Sequence, residues 1–320
     1  MQQYVMRRLL MLVPTLLGVS IIVFAVMRVV PGDVARIILS GGAGGEGAAS
    51  DQAVQQLREE LGLNQPLPVQ YVDWLWDIVR LDPGESLFTH DPIVAQIKAR
   101  LPVTLELALG ATAVALMIAI PVGVLSALYQ DTWVDYVFRV VSVAGLSFPT
   151  FWLGVLTVLI LSKYFNWVPP LGYSYPWEDP GRNLQQMIWP VLILGYWYSA
   201  VVSRMTRSAM LEVLREDYVR TARAKGLRER AVVLRHALRN ALLPIITITA
   251  LQFGHLMGGS VITEGIFTLP GLGTYLVDSI LQRDYPVTQA LVLLSATVYV
   301  ALNLGVDLTY GWLDPRIRYA

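Results

Sequence analysis

Apolar residues run along this chain in six blocks of about 18 to 26 residues, near positions 9–30, 102–128, 137–161, 187–204, 240–262 and 287–310. At about 1.5 Å of rise per residue, roughly 20 helical residues cross the hydrocarbon of a bilayer. The pattern therefore predicts an all-α, polytopic protein with about six transmembrane helices. It divides the chain into an N-terminal spanning helix (1–30), a long segment at 31–100, a core of five spans (101–310) carrying a polar loop at 204–240, and a short tail at 311–320.

The segment at 31–100 has structure of its own. A glycine-rich run, Gly41 to Gly47, opens it, and a helix-like run from Asp51 to Leu61 stops at Gly62, a residue suited to a helix C-terminus. Trp74 and Trp76 lie in an apolar stretch bounded by Pro66, Pro68 and Pro83. They either sit at a membrane interface or pack over the helical bundle.

Composition agrees with the pattern: 55% of residues are hydrophobic, 15% are charged, and the mean hydropathy is +0.52. Soluble domains carry about 25% charged residues. Arg7 and Arg8 precede the first apolar run as in a signal peptide, but the run is too long for one and no small-residue cleavage site closes it before Arg28. A retained first span is expected. The net charge is zero, yet the basic residues are unevenly placed. Fifteen Lys and Arg fall on the ends and loops that share one side, ten of them between Arg204 and Arg239, against Lys163, Arg182 and Arg283 on the two short loops opposite. The positive-inside rule then puts both termini and the 204–240 loop in the cytoplasm and the 31–100 segment outside.

Several kinds of chemistry are excluded or weakly supported. Cysteine is absent, and the three lysines (Lys98, Lys163, Lys225) never follow glycine, so no phosphate-binding loop of the Gly-Lys-Ser/Thr type exists. His90, His236 and His255 have no metal-like spacing, and no hydrolase motif appears. No catalytic, cofactor-binding or metal-binding residue is assigned. Ion-coupled carriers place charges at mid-membrane depth. Here Glu106 and Arg28 lie near span ends, Asp307 lies near the end of the sixth span, and His255 with Gln252 is the deepest polar pair.

The loop at 204–240 reads as two short helices. The first, through Glu216, Asp217, Tyr218, Val219, Ala222, Arg223, Ala224 and Lys225, stops at Gly226; the second begins near Arg228. Glycine supports such a stop by adopting positive φ. Acidic residues Glu212, Glu216, Asp217 and Glu229 interrupt the basic run, while Ala222, Ala224 and Gly226 are small. Adsorption to anionic lipid would need only the basic residues. A docking helix for a cytoplasmic partner explains the mixture better.

The segment Asp217 to Leu227, with Arg235 to Pro244 after it, resembles the EAA loop of ABC importer permeases in the dipeptide/oligopeptide/nickel branch. Ala222 and Gly226 match the general pattern. Arg220 and Thr221 replace its Glu and first Ala, and His236 to Arg239 stand where Ile-x-Leu-Pro is usual, departures this branch shares. Tyr4 to Leu10, Val30-Pro31-Gly32-Asp33, Arg100 to Leu107, Leu269 to Gly273, Asp284-Tyr285-Pro286 and Asp314 to Tyr319 resemble the B-type subunit of that branch across nearly the whole chain.

The resemblance implies the type I ABC importer permease fold in a bacterial cytoplasmic membrane. It also implies a homologous C-type permease as partner, two ATPase subunits that hold ATP and Mg, an extracytoplasmic substrate-binding protein, and no nucleic acid. On this reading Asp217, Tyr218, Ala222, Arg223, Lys225 and Gly226 couple the chain to the ATPase. The translocation pathway falls on the fifth span, at Gln252, His255, Ser260 and Glu264, with Gly254, Gly258 and Gly259 leaving room or packing closely. The Thr263-Glu264-Gly265 exit and the Pro270 to Gly273 loop would face the binding protein or form a gate. Di- and oligopeptides are the expected cargo; nickel chelates, glutathione, opines or oligosaccharides are the alternatives within the family. A stand-alone secondary transporter is the alternative outside it, though no internal repeat is found.

Overall fold

The structure is a computed structural model that describes residues 2–29, 33–40 and 50–313. The glycine-rich run at 41–47, the Pro31-Gly32 step and the closing Asp314 to Tyr319 motif lie outside the described residues. Described elements are helical, with one isolated bridge between Glu85 and Pro92. In chain order the helices are α1 (Gln2–Val29), α2 (Val34–Leu39), α3 (Asp51–Glu60), α4 (Leu67–Val79), α5 (Ile93–Leu128), α6 (Trp133–Ser147) and α7 (Thr150–Phe165). After these come α8 (Pro180–Val213), α9 (Asp217–Ala224), α10 (Glu229–Ala231), a π-helical turn at Val232–Ala237, α11 (Leu238–Gly259), α12 (Val261–Ile266), α13 (Leu272–Gln282) and α14 (Tyr285–Leu313).

By length and apolar composition, Leu10–Val29, Ile93–Leu128, Glu229–Gly258 and Tyr285–Val306 can each cross a membrane. The block at 137–161, expected from the sequence to be one span, is broken: α6 and α7 meet at 89°. The break falls at Phe148-Pro149. Proline lacks an N–H and forces the preceding residue out of the α region, and Phe148 is extended at φ −105° and ψ 128°. Taken together the pair makes a fifth candidate span.

The block at 187–204 lies inside α8, which is not apolar enough to join that set. Its surroundings explain the difference. Helices α6, α7 and α11 all pack on α8, which buries Asn183, Gln186, Ser199, Ser203 and Thr206 along with its apolar side chains. A helix shielded by protein has no need to be hydrophobic all round.

The chain forms two compact units. Residues 103–270, with 301–313, make one; residues 2–102 and 271–300 make the other. In the first, Ala119, Val124, Ala127, Val202, Met210, Ala237, Ala241 and Ile245 form a core between α5, α8 and α11. Small residues set the spacing. A Cβ on Gly123 would lie 2.5 Å from Thr206, and one on Gly195 would lie 2.6 Å from Val114, so α5 and α8 approach at backbone distance.

In the second unit α1 packs against α4. Ser20 and Tyr71 share a 2.8 Å hydrogen bond, and Phe24, Tyr71 and Trp74 form an aromatic cluster. The two tryptophans therefore differ in setting. Trp74 packs against the span, while Trp76 is exposed beneath the guanidinium of Arg80. Asp33 and Ser50 cap α2 and α3 with their side chains. Asp284, between α13 and α14, ties the Ser86-Leu87 loop down by accepting from Ser86 Oγ at 2.6 Å. Burial pushes the Asp284 carboxyl above its ordinary range, while the hydrogen bonds from Ser86 and the Leu87 N–H pull it back.

Candidate functional site

The polar loop after α8 folds into a two-layered hook. Leu214 ends α8, Glu216 begins α9, and α9 closes after two turns in a Schellman motif. The N–H of Leu227 donates to the carbonyl of Ala222 and the N–H of Gly226 to that of Arg223. Gly226 takes φ +74°, which costs a side-chain-bearing residue about 1–2 kcal/mol. No described atom lies within 4 Å of where a Cβ on Gly226 would stand. Its conformation, not crowding, calls for glycine.

One face of α9 is internal. Val219 and Ala222 are buried against Val232 of the π-helical turn, with Val213 and Leu214 at the edge. Ala222, expected from the sequence to let a partner approach, instead faces this small core. The outer face carries Asp217, Tyr218, Arg220, Thr221, Ala224, Lys225 and Gly226, all exposed.

Two tethers fix the hook to α10 and α11. Arg223 donates to both oxygens of Glu229, at 3.2 and 2.7 Å, and Asn240 Nδ2 donates to the Tyr218 hydroxyl at 2.8 Å. Burial raises the Tyr218 phenol above its usual range, against the pull of the Asn240 hydrogen bond. π-helical turns insert one residue into a helix and mark local strain or function. Here the turn rotates Val232 and Val233 toward the two cores below α9 and α8.

A buried charge cluster that sequence reading missed joins α5, α6 and α8 near the same loop. Asp135, fully buried, accepts two hydrogen bonds from Arg207, at 2.9 and 2.8 Å, and one each from Ser126 Oγ at 2.5 Å and the Asp131 N–H at 3.1 Å. Arg139 lies 3.5 Å away, one turn along α6. The Asp135/Arg139 spacing of four was the one local signal available.

Of the expected pathway residues, the structure brings Ser260 and Glu264 together. Glu264 is fully buried, accepting from Ser260 Oγ at 2.8 Å and from Thr104 Oγ1 of α5 at 2.9 Å. Gln252 and His255 lie on α11, the first half-buried and the second exposed, and no described atom lies near a Cβ built on Gly258. Glu106, read as pairing near a span end, accepts from Asn183 Nδ2 at 3.0 Å and from the Tyr173 hydroxyl. Gln186 then holds Ser174 and Gly172 of the same loop through their backbone groups.

Comparison with known proteins adds to this geometry. A sequence model described as "Binding-protein-dependent transport system inner membrane component" matches residues 119–319, and its N-terminal companion matches residues 1–108. The dipeptide transport system permease protein DppB of Alkalihalophilus pseudofirmus is 41% identical over 340 residues, covering all of both chains. The glutathione transport system permease protein GsiC of Salmonella choleraesuis is 42% identical over 319 residues, again covering all of both. Among solved structures, an inward-facing form of the MetNI methionine ABC transporter matches 70% of this chain and 99% of its own, with a TM-score of 0.57 at 18% identity. At that identity the likeness concerns the fold.

Proposed function

The chain belongs to the binding-protein-dependent transport system inner membrane components, and from that premise we infer that it is the B-type permease subunit of an ABC importer for short peptides. The observation that carries this reading is the hook at 214–240. It is a rigid helix whose inner face is filled by its own small core and whose charged outer face is left uncovered by the described residues.

The mechanism rests on the geometry of that hook. Two ATPase subunits, one beneath this chain and one beneath a homologous C-type permease, hold ATP and Mg and close on binding nucleotide. The outer face of α9 seats on the ATPase. The tethers Arg223–Glu229 and Asn240–Tyr218 make the motion of α9 a motion of α10 and α11 as well. Through Arg207 and Asp135 the end of α8 carries the same motion to α5 and α6. Rigid helices joined this way convert between two packed arrangements, outward-open and inward-open, as a body.

Cargo arrives from an extracytoplasmic binding protein. Gln252 and His255, with open space beside Gly258, supply the polar face of α11 along the pathway. Ser260 and Glu264 act beside it by fixing α12 to α5. Relatives named for dipeptides and for glutathione favour short peptides, whose charged ends suit a sparse polar lining.

Reconstitution tests the proposal. The chain, co-expressed with a C-type permease, ATPases and binding protein, is expected to co-purify with them and to drive ATP-dependent uptake of a labelled dipeptide into vesicles. Uptake by the chain alone on an ion gradient would overturn it.

A further inference from the structure

Seven buried side-chain polar atoms lack a hydrogen-bond partner among the described residues, and three of them belong to residues that wall a single cavity. Buried polar groups are nearly always satisfied, so such a concentration points to an occupant. The cavity, of about 410 Å³, lies between α1, the α2–α4 segment and Tyr285. Its volume falls in the range of organic-ligand pockets and far exceeds what one water fills.

The three orphans define the chemistry. Arg28 stacks on Phe24 and Tyr285, 4.9 and 5.4 Å from their ring centres, and its buried Nε has no acceptor. Arg58 reaches Asp33 through Nη1 at 3.3 Å and leaves its own Nε buried without an acceptor. Gln70 donates through Nε2 to the carbonyls of Leu63 and Gln65, which fixes the amide and leaves Oε1 as a buried acceptor without a donor. Two cationic donors, one carboxylate and one amide oxygen face the same space. A ligand that satisfies them has an anionic oxygen group at one end and an N–H donor at the other.

Position selects the source. Arg28 stands at the end of the apolar run Leu10–Val29, whose outer side exposes Ile22, Val26 and Val29. Helix α4 packs on that end and exposes Leu67, Val72, Trp76 and Val79, with Arg80 folded over Trp76, the pattern of a helix lying in a membrane interface. The cavity is thus at headgroup depth, beside lipid. We propose that it binds the phosphoethanolamine head of a phospholipid, its phosphodiester on Arg28 and Arg58 and its ammonium on Gln70 Oε1 and Asp33.

The test uses the full chain purified with its partner subunits and equilibrated with equal amounts of phosphatidylethanolamine and phosphatidylcholine of matched acyl chains. Native mass spectrometry reads the lipid retained. Choline has no N–H, so the wild type is expected to retain phosphatidylethanolamine about tenfold over phosphatidylcholine. The preference should vanish in Arg28→Ala and weaken in Arg58→Gln. Equal retention of both lipids by the wild type overturns the proposal, as does an Arg28→Ala variant that keeps the preference. The wild-type comparison needs no variant, so a misfolded Arg28→Ala leaves the test intact. If glycerophosphoethanolamine binds in an Arg28-dependent way while no lipid is retained, the ligand is a solute and the lipid assignment falls.

Discussion

Two arginine–carboxylate pairs near the 204–240 loop have nearly the same length and opposite surroundings. Arg223 and Glu229 meet at 2.7 Å with side chains 41% and 58% exposed; Arg207 and Asp135 meet at 2.8 Å with 19% and 0%. Water screens the first pair, which contributes about 0.2–1 kcal/mol. The second has no water to fall back on, and losing one partner leaves a charge stranded. The first region is therefore a surface held in shape by Val219, Ala222 and Val232, free to meet another protein. The second is a joint that holds three helices at fixed spacing.

The contrast can be broken at its stronger end first. Asp135→Ala should cost about 3–5 kcal/mol by stranding Arg207. The expected outcome is a large drop in folded yield and melting temperature in detergent, and an unchanged melting temperature would show that no such joint exists. Next comes Glu264→Ala, which leaves the Thr104 and Ser260 hydroxyls without their acceptor and should cost about 1–3 kcal/mol. Uptake per folded molecule should fall less than the folded yield, because Glu264 positions α12 and does not touch cargo.

Gly226 sharpens the comparison from the other side. Gly226→Val must bear the positive φ at about 1–2 kcal/mol of local strain, within a surface turn. Insertion and overall melting should stay near wild type while uptake is lost and ATP hydrolysis runs uncoupled. Gly226→Asn, whose side chain tolerates that region, should keep most of the uptake. Equal uptake by the wild type and a Gly226→Trp variant would contradict the role given to this turn. The smallest effect belongs to Arg223→Ala, where stability should change by less than about 1 kcal/mol. A larger shift in chemical denaturation would mean that the hook depends on its surface pair after all.

How far the sequence carried these distinctions depends on the range of the interactions. Spanning helices announce themselves because each must be apolar along about 20 contiguous residues. The two blocks that depart from simple spans are those where a local or tertiary effect intervenes: Pro149 breaks a run that stays apolar on both sides, and α8 is sheltered by its neighbours. The hook was legible because its determinants are local, a helix of eight residues and a glycine stop within ten positions. The side of α9 that Ala222 occupies was not legible, since it depends on Val232 arriving from the next turn.

Burial of charge was the least legible of all. Glu264 could be singled out as an acid at a span end, but its partner Thr104 lies 160 positions away. Asp135 in a short loop resembled any solvated carboxylate until Arg207, 72 positions on, closed over it. Polarity is written in the sequence; exposure is written in the packing.

Coverage of the outer face of α9 by an ATPase subunit is directly measurable, because the chain has no cysteine. A single cysteine placed at Arg220 or Lys225 is the only thiol in the chain, and maleimide labelling of membranes with and without the ATPase subunits reads its accessibility. Labelling should be fast for the permease alone and strongly suppressed once the ATPase is bound, with a cysteine at Trp177 indifferent to it. Equal labelling of Arg220→Cys and Lys225→Cys in both states would contradict a docking role for α9.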